Sequence, residues 1–184
     1  MNPLFSPDLA RRALLFAAQA HRIQSWPGNP DLPYIVHPVL VCQEVIAALS
    51  VERVENHDLA VQCALLHDVL EDTKVQFQEL VNEFGAPVTD GVQALSKNQH
   101  LPEAEQIADS VNRLLALNSR EAQMVKLADR IVNLTPPHPP HWNNQKKQLY
   151  LNDAELIHDK LQSASPFLAA RLLSRVSAYR DSIN

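Results

Sequence analysis

Apolar residues recur at three- and four-residue intervals along nearly the whole chain, a period that only helices can bury. Leu9, Ala13, Phe16, Ala17 and Ala20 fall on one face of a first segment, and the same spacing predicts helices over about 7–24, 37–49, 56–72, 75–84, 86–97, 103–117, 119–134, 142–160 and 165–181. Proline marks where these segments begin. In Ser6-Pro7, His37-Pro38, Ala86-Pro87 and Ser165-Pro166 it suits a helix start, where its missing N–H costs nothing. Gly85, after Phe84, suits a helix stop. Two proline-rich stretches, SWPGNPDLP (25–33) and TPPHPPHW (135–142), read as loops rather than interdomain linkers, because each joins helices of similar composition. No repeat or low-complexity segment interrupts the pattern. The expectation is an all-α fold, a helical bundle of about eight to nine helices forming one domain over residues 1–184.

Composition narrows the function. With 46% apolar and 20% charged residues, the 184-residue chain can bury a substantial core. Its net charge of −5, with no Lys/Arg-rich block, argues against nucleic acid as a partner. An anionic ligand would need local positive charge, from a metal or a few placed cations. Cys42 and Cys63 lie in apolar helical patterns without ligand-like spacing, as reduced core residues do. In RRALLFAAQA the apolar stretch is only six residues before Gln19, with Arg22 soon after, too short for a signal peptide, and no stretch approaches membrane-spanning length. A cytoplasmic protein is expected, with no membrane partner; the sequence leaves its oligomeric state open.

One apolar segment carries an anomaly. In LAVQCALLHDVLEDT (59–73), His67, Asp68, Glu71 and Asp72 crowd into the last turns of a segment otherwise built for the core. On a helix, His67 lies under Glu71 and Asp68 under Asp72, each pair at i,i+4. Three neighbouring carboxylates repel one another, and a buried unpaired charge is costly. A divalent cation resolves the conflict, since imidazole nitrogen and carboxylate oxygen are both metal ligands. The competing reading is a helix end that protrudes into solvent. Further ligands must come from elsewhere, and two segments offer them: PYIVHP (33–38) with His37, and MVKLADRIVNL (124–134) with Asp129, flanked on the same face by Lys126 and Asn133. Read singly, His37 also suits a capping or core histidine, and Asp129 a surface charge or a partner of Arg130.

Taken together, HisPro, HisAsp-x-x-GluAsp and LeuAlaAspArg-x-x-Asn resemble the HD-domain hydrolases of the RelA/SpoT family, in particular the single-domain small alarmone hydrolases. The likeness spans about Ala17 to Tyr150 and includes AAQAHRIQ (17–24), PYIVHP, ALLHDVLEDT, FGAPV (84–88), LSK (95–97) and VKLADRIVN (125–133). It implies a single HD domain in which His37, His67, Asp68 and Asp129 bind one divalent metal, typically Mn²⁺, while Glu71 and Asp72 handle the attacking water. It implies a small-molecule nucleotide substrate: removal of pyrophosphate from the 3′ position of guanosine tetra- or pentaphosphate. The chemistry suits the residues, because a metal with open positions can hold a phosphate oxygen and a water, and a nearby carboxylate can take the water's proton.

Two departures touch the substrate rather than the metal. Where the family usually carries an Arg-Lys pair, this chain has Trp26 and Pro27, with Arg22 a candidate substitute cation. After Asn133 the family often continues with Arg-Thr, whereas this chain reads LeuThrProPro. Asn133, Tyr150, Lys146, Arg22 and Lys97 are the candidate substrate contacts. His138 and His141 in the second loop are not expected to bind metal. The alternatives are an HD phosphohydrolase acting on another nucleotide, such as (p)ppApp or NADPH, and a non-catalytic alarmone-binding domain.

Overall fold

The computed structural model describes residues 4–139 and 142–183. Helix α1 (Pro7–Ala20) is followed by a short antiparallel hairpin of β1 (Ser25–Trp26) and β2 (Asn29–Pro33). Then come α2 (Val36–Leu49), α3 (His57–Leu66), α4 (Val69–Asp72), α5 (Phe77–Phe84), α6 (Ala86–Leu95), α7 (Glu103–Leu117), α8 (Arg120–Asn133) and α9 (Asn144–Leu161). A 3₁₀ turn at Gln162–Ala164 leads into α10 (Pro166–Ile183). The fold is all-α apart from the hairpin. Among the described residues it holds ten α-helices, one more than the upper expectation, because the segment 56–72 is split into α3 and the single turn α4.

Local chemistry sets the helix ends. Ser6, Asn56, Ser119 and Asn143 cap α1, α3, α8 and α9 by accepting from the amides of Leu9, Leu59, Ala122 and Lys146, each worth about 1 kcal/mol. Gly85 ends α5 at φ 80°, a backbone angle that a side chain would strain. The start of α10 is capped from a distance: the Phe167 amide donates to the Glu52 carboxylate at 2.7 Å, where helix N-termini favour negative charge.

Two helices run through the centre. In α3 every residue from Ala60 to Leu66 is buried, and in α8 so is every residue from Glu121 to Val132 except Asp129. Helix α3 packs against α1, α2, α6 and α8, and α8 also against α2, α9 and α10. A helix apolar nearly all round, as α3 is, belongs in the core, whereas α8 is buried although it carries Glu121, Gln123, Lys126 and Arg130. Polar side chains at the C-terminal end of α3 and in the second half of α8 are thereby held deep in the molecule. Cys42 and Cys63 are both buried and free.

Three boundaries differ from expectation. Helix α1 stops at Ala20 rather than 24, because the His21 side chain turns back onto Gln24 (2.6 Å) and the chain leaves for the hairpin. The stretch 25–33, expected to be a loop, forms the hairpin, with Trp26 paired to Asn29 across a Pro27-Gly28 turn. Helix 56–72 breaks at His67-Asp68, where Asp68 adopts φ −98°, ψ −4°.

Candidate metal centre and its cavity

The break between α3 and α4 decides the geometry. On a continuous helix His67 and Asp68 would diverge by about 100°, yet here His67 Nε2 lies 3.0 Å from Asp68 Oδ2, both turned to one point. His37, at the start of α2, brings its Nε2 to 3.2 Å from His67 Nε2 and 3.5 Å from Asp68 Oδ2. Asp129 on α8 completes the set, its Oδ1 at 3.3 Å from His37 Nε2 and 3.8 Å from His67 Nε2. One donor atom each from His37, His67 and Asp129 falls within a span of 4.8 Å. Both histidines are buried.

Hydrogen bonds around the cluster orient it. His67 Nδ1 lies 2.8 Å from the carbonyl of Ala64; an N–H there leaves the Nε2 lone pair facing the cluster. The Asn133 amide donates to Asp129 Oδ1 at 2.5 Å. The Tyr34 hydroxyl lies 2.6 Å from Asp68 Oδ2 and 3.1 Å from Asp72 Oδ2, joining the two carboxylates. Two imidazole nitrogens facing each other across 3.2 Å, with a carboxylate on either side, form a donor set that fits one small divalent cation.

Electrostatics point the same way. Burial alone would push His67 down, but the Asp68 and Asp129 carboxylates override it and raise His67 to about 9, so their negative charge draws a cation, whether a proton on Nε2 or a metal in its place, to this point. Burial would push Asp68 and Asp129 up; contact with the two histidines instead holds both well below the usual carboxylate range. Tyr34 is driven far above the ordinary phenol range by burial and by Asp68 and Asp72, so its hydroxyl keeps its proton and stays a donor. Asp72 is pushed up to about 6 by burial, Asp68 and Glu71. Glu71 has another attachment: its Oε2 accepts from the Lys97 backbone amide at 2.7 Å and its Oε1 from the Lys97 ammonium at 2.5 Å.

These groups open into one cavity. Its walls include Tyr34, Glu71, Asp72, Lys97, Lys126 and Arg130 around the cluster. Trp26, Pro27, Gly28, Pro137, Pro139 and Trp142 also line it, so the hairpin and the proline-rich loop both border the cluster's cavity. Of the expected substrate contacts, Asn133, Tyr150 and Lys97 line it. Arg22 and Lys146 do not. Arg22 is exposed just past the end of α1 and lines a separate groove with Ile23 and Glu79. The Lys146 ammonium is paired with Glu103. His138 turns away, its Nε2 3.2 Å from the Leu134 carbonyl and its ring edge-on to Tyr179. His141 lies outside the described residues. Sequence reasoning missed Tyr34, although it stands within PYIVHP three residues before His37.

A helical scaffold that gathers two histidines and two aspartates in this order defines a class, and the comparisons agree with it. The HD domain matches residues 13–152. The chain belongs to the HD-domain family, within its RelA/SpoT-type branch. The guanosine-3′,5′-bis(diphosphate) 3′-pyrophosphohydrolase MESH1 of Danio rerio is 34% identical over 160 residues, covering 85% of this chain and 86% of that protein. Its Homo sapiens counterpart is 31% identical over 153 residues, covering 82% and 83%. A solved structure of a metazoan orthologue of SpoT, which hydrolyzes ppGpp and plays a role in starvation responses, superposes with a TM-score of 0.79 at 25% identity over 97% of both chains.

Proposed function

We propose that this protein is a metal-dependent hydrolase that removes the 3′-pyrophosphate of guanosine 3′,5′-bis(diphosphate), with Mn²⁺ as its metal and the cytoplasm as its location. The observation that carries the reading is the convergence of His37, His67, Asp68 and Asp129 beside two further carboxylates in one cavity. Relatives that bear this activity in their names cover most of the chain. The four residues would hold the metal, which supplies a Lewis acid for a phosphate oxygen and lowers the pKa of a bound water. Asp72, raised to about 6 and held by Tyr34, is placed to accept the proton of the attacking water. Attack on the phosphorus attached to the ribose 3′ oxygen breaks that P–O bond and frees pyrophosphate, while the departing 3′ oxygen takes a proton from solvent to become the 3′ hydroxyl. Glu71, gripped by Lys97, fixes the far side of the water site. Tyr150 and Asn133 border the space left for substrate.

Incubating the Mn²⁺-loaded protein with a panel of nucleotides tests the reading. Pyrophosphate released from the 3′ side of guanosine 3′,5′-bis(diphosphate) is expected; monophosphate as the sole product, or preference for an unrelated nucleotide, would sink it. The double variant Glu71→Gln/Asp72→Asn should keep its metal and lose turnover by about a hundredfold or more.

A further inference from the structure

Lys126 and Arg130 stand one turn apart on α8, on either side of Asp129, and both line the cavity. Lys126 is 4% exposed and Arg130 2%. Among the described residues neither forms an ion pair with a carboxylate. The Lys126 ammonium donates to the Leu95 carbonyl at 3.1 Å, a single acceptor for a group with three N–H bonds. The Arg130 guanidinium lies over the Tyr150 ring at 4.2 Å and makes one long hydrogen bond, from Nη1 to the Tyr150 carbonyl at 3.4 Å; its Nε has no partner. Of the carboxylates whose charge reaches the pair, Asp129 is engaged with His37 and Asn133 and Glu71 with Lys97, while Asp153 is half-buried and forms no ion pair with either cation.

A buried cation without a counter-ion is among the costliest groups a core can hold. Two of them, side by side on a wall of the cavity with no carboxylate in ion-pair contact, call for an anion there. Charge balance agrees. Asp68 and Asp129 would offset a divalent ion and Lys97 offsets Glu71, which leaves Asp72 to make the cavity repel a phosphate. Lys126 and Arg130 reverse that sign. They also solve a problem posed by the hairpin, where Trp26 and Pro27 carry no charge into the same cavity.

We propose that Lys126 and Arg130 form the phosphate clamp of this cavity, binding the non-bridging oxygens of the substrate's phosphates in place of a cationic pair on the hairpin. The assignment rests on the proposed substrate only in that it requires a phosphorylated ligand. Arg130 supplies a planar fork and Lys126 a point charge.

The test uses Lys126→Met, Arg130→Met and Arg130→Lys, with inorganic pyrophosphate as the probe, titrated by calorimetry into the Mn²⁺-loaded full chain. Each Met variant should bind pyrophosphate about tenfold to a hundredfold more weakly, the loss for one charge-assisted hydrogen bond, and should keep its Mn²⁺ affinity. Arg130→Lys should recover part of the loss. Pyrophosphate affinity unchanged in both Met variants overturns the clamp. If the Met variants melt below the assay temperature, Arg130→Lys decides: an Arg130 that only packs on Tyr150 leaves pyrophosphate affinity untouched once the variant is folded, whereas loss of the fork from a clamp weakens it. The two readings fail separately. Guanosine 3′,5′-bis(diphosphate) hydrolysis by the wild type with unaltered variants removes the clamp and keeps the substrate; weakened variants without wild-type hydrolysis keep the clamp and remove the substrate.

Discussion

Tyr34 places one hydroxyl against two carboxylates, Asp68 of the His-Asp cluster and Asp72, the proposed acceptor of the water's proton. Removing only that hydroxyl tests how far the cluster depends on its support. Tyr34→Phe should lower Mn²⁺ affinity about tenfold, the usual cost of losing a bond that orients a ligand, with melting temperature nearly unchanged; calorimetry and a thermal scan check both. The chain also holds two further His-Asp dipeptides, His57-Asp58 and His158-Asp159, neither of them part of the cluster. His57 Nδ1 lies 2.8 Å from the Leu4 carbonyl, and Asp58 Oδ1 accepts from the Ser6 amide at 2.5 Å, so the pair fastens the N-terminal segment to α3. His57→Ala should therefore cost about 1 kcal/mol of stability and leave metal binding intact, as measured by denaturant unfolding and titration. The contrast shows what made the candidate site legible. The dipeptide alone carries little information; the apolar run around His67-Asp68 and the neighbouring Glu71 and Asp72 carry it. Lys126 and Arg130 were harder to read, because whether a helical cation is paired depends on side chains from other elements. The same limit misplaced Lys146, whose partner Glu103 is 43 residues away.

At the scale of elements, proline marked the helix starts well: Pro7, Pro87 and Pro166 each sit in the first turn of their helix. Two features escaped that reading. The α3–α4 break leaves no mark in the sequence, since LLHDVL carries neither glycine nor proline. It arises where two adjacent polar side chains must face one point. The hairpin escaped because β1 is two residues long and β2 contains two prolines, too little for an alternating pattern to register. The hairpin nonetheless borders the cavity, and Gly28 sets how closely it meets the loop after α8. A Cβ at Gly28 would lie 2.6 Å from the Pro137 carbonyl oxygen. Gly28→Ala should force the hairpin and loop apart at a local cost of about 1–3 kcal/mol. The expected readout is a raised KM for the nucleotide with Mn²⁺ affinity unchanged; an unaltered KM would show that this wall does not meet the substrate.

For the whole molecule, the cluster draws its side chains from the start of α2, the end of α3 with its break, and the second half of α8. A cation bound by all four residues joins segments far apart in sequence and stabilises only the folded state. Saturating Mn²⁺, at about a hundredfold above its Kd, should add roughly 2.7 kcal/mol, which for a chain of this size raises Tm by about 5–10 °C. A chelator should reverse the shift, and His67→Ala should abolish it. The all-α plan was legible because helical periodicity runs through almost every segment, and α3 read as a core helix from its apolar circumference. The burial of α8 was not legible, because REAQMVKLADRIVN carries charged and polar residues throughout. The cavity offers one more consequence. The chain has two tryptophans, and both Trp26 and Trp142 line it, Trp142 with its ring 4.3 Å from that of Tyr150. Intrinsic fluorescence therefore arises at the site itself with no indole elsewhere to dilute it, so ligand occupancy can be followed optically in the unlabelled protein.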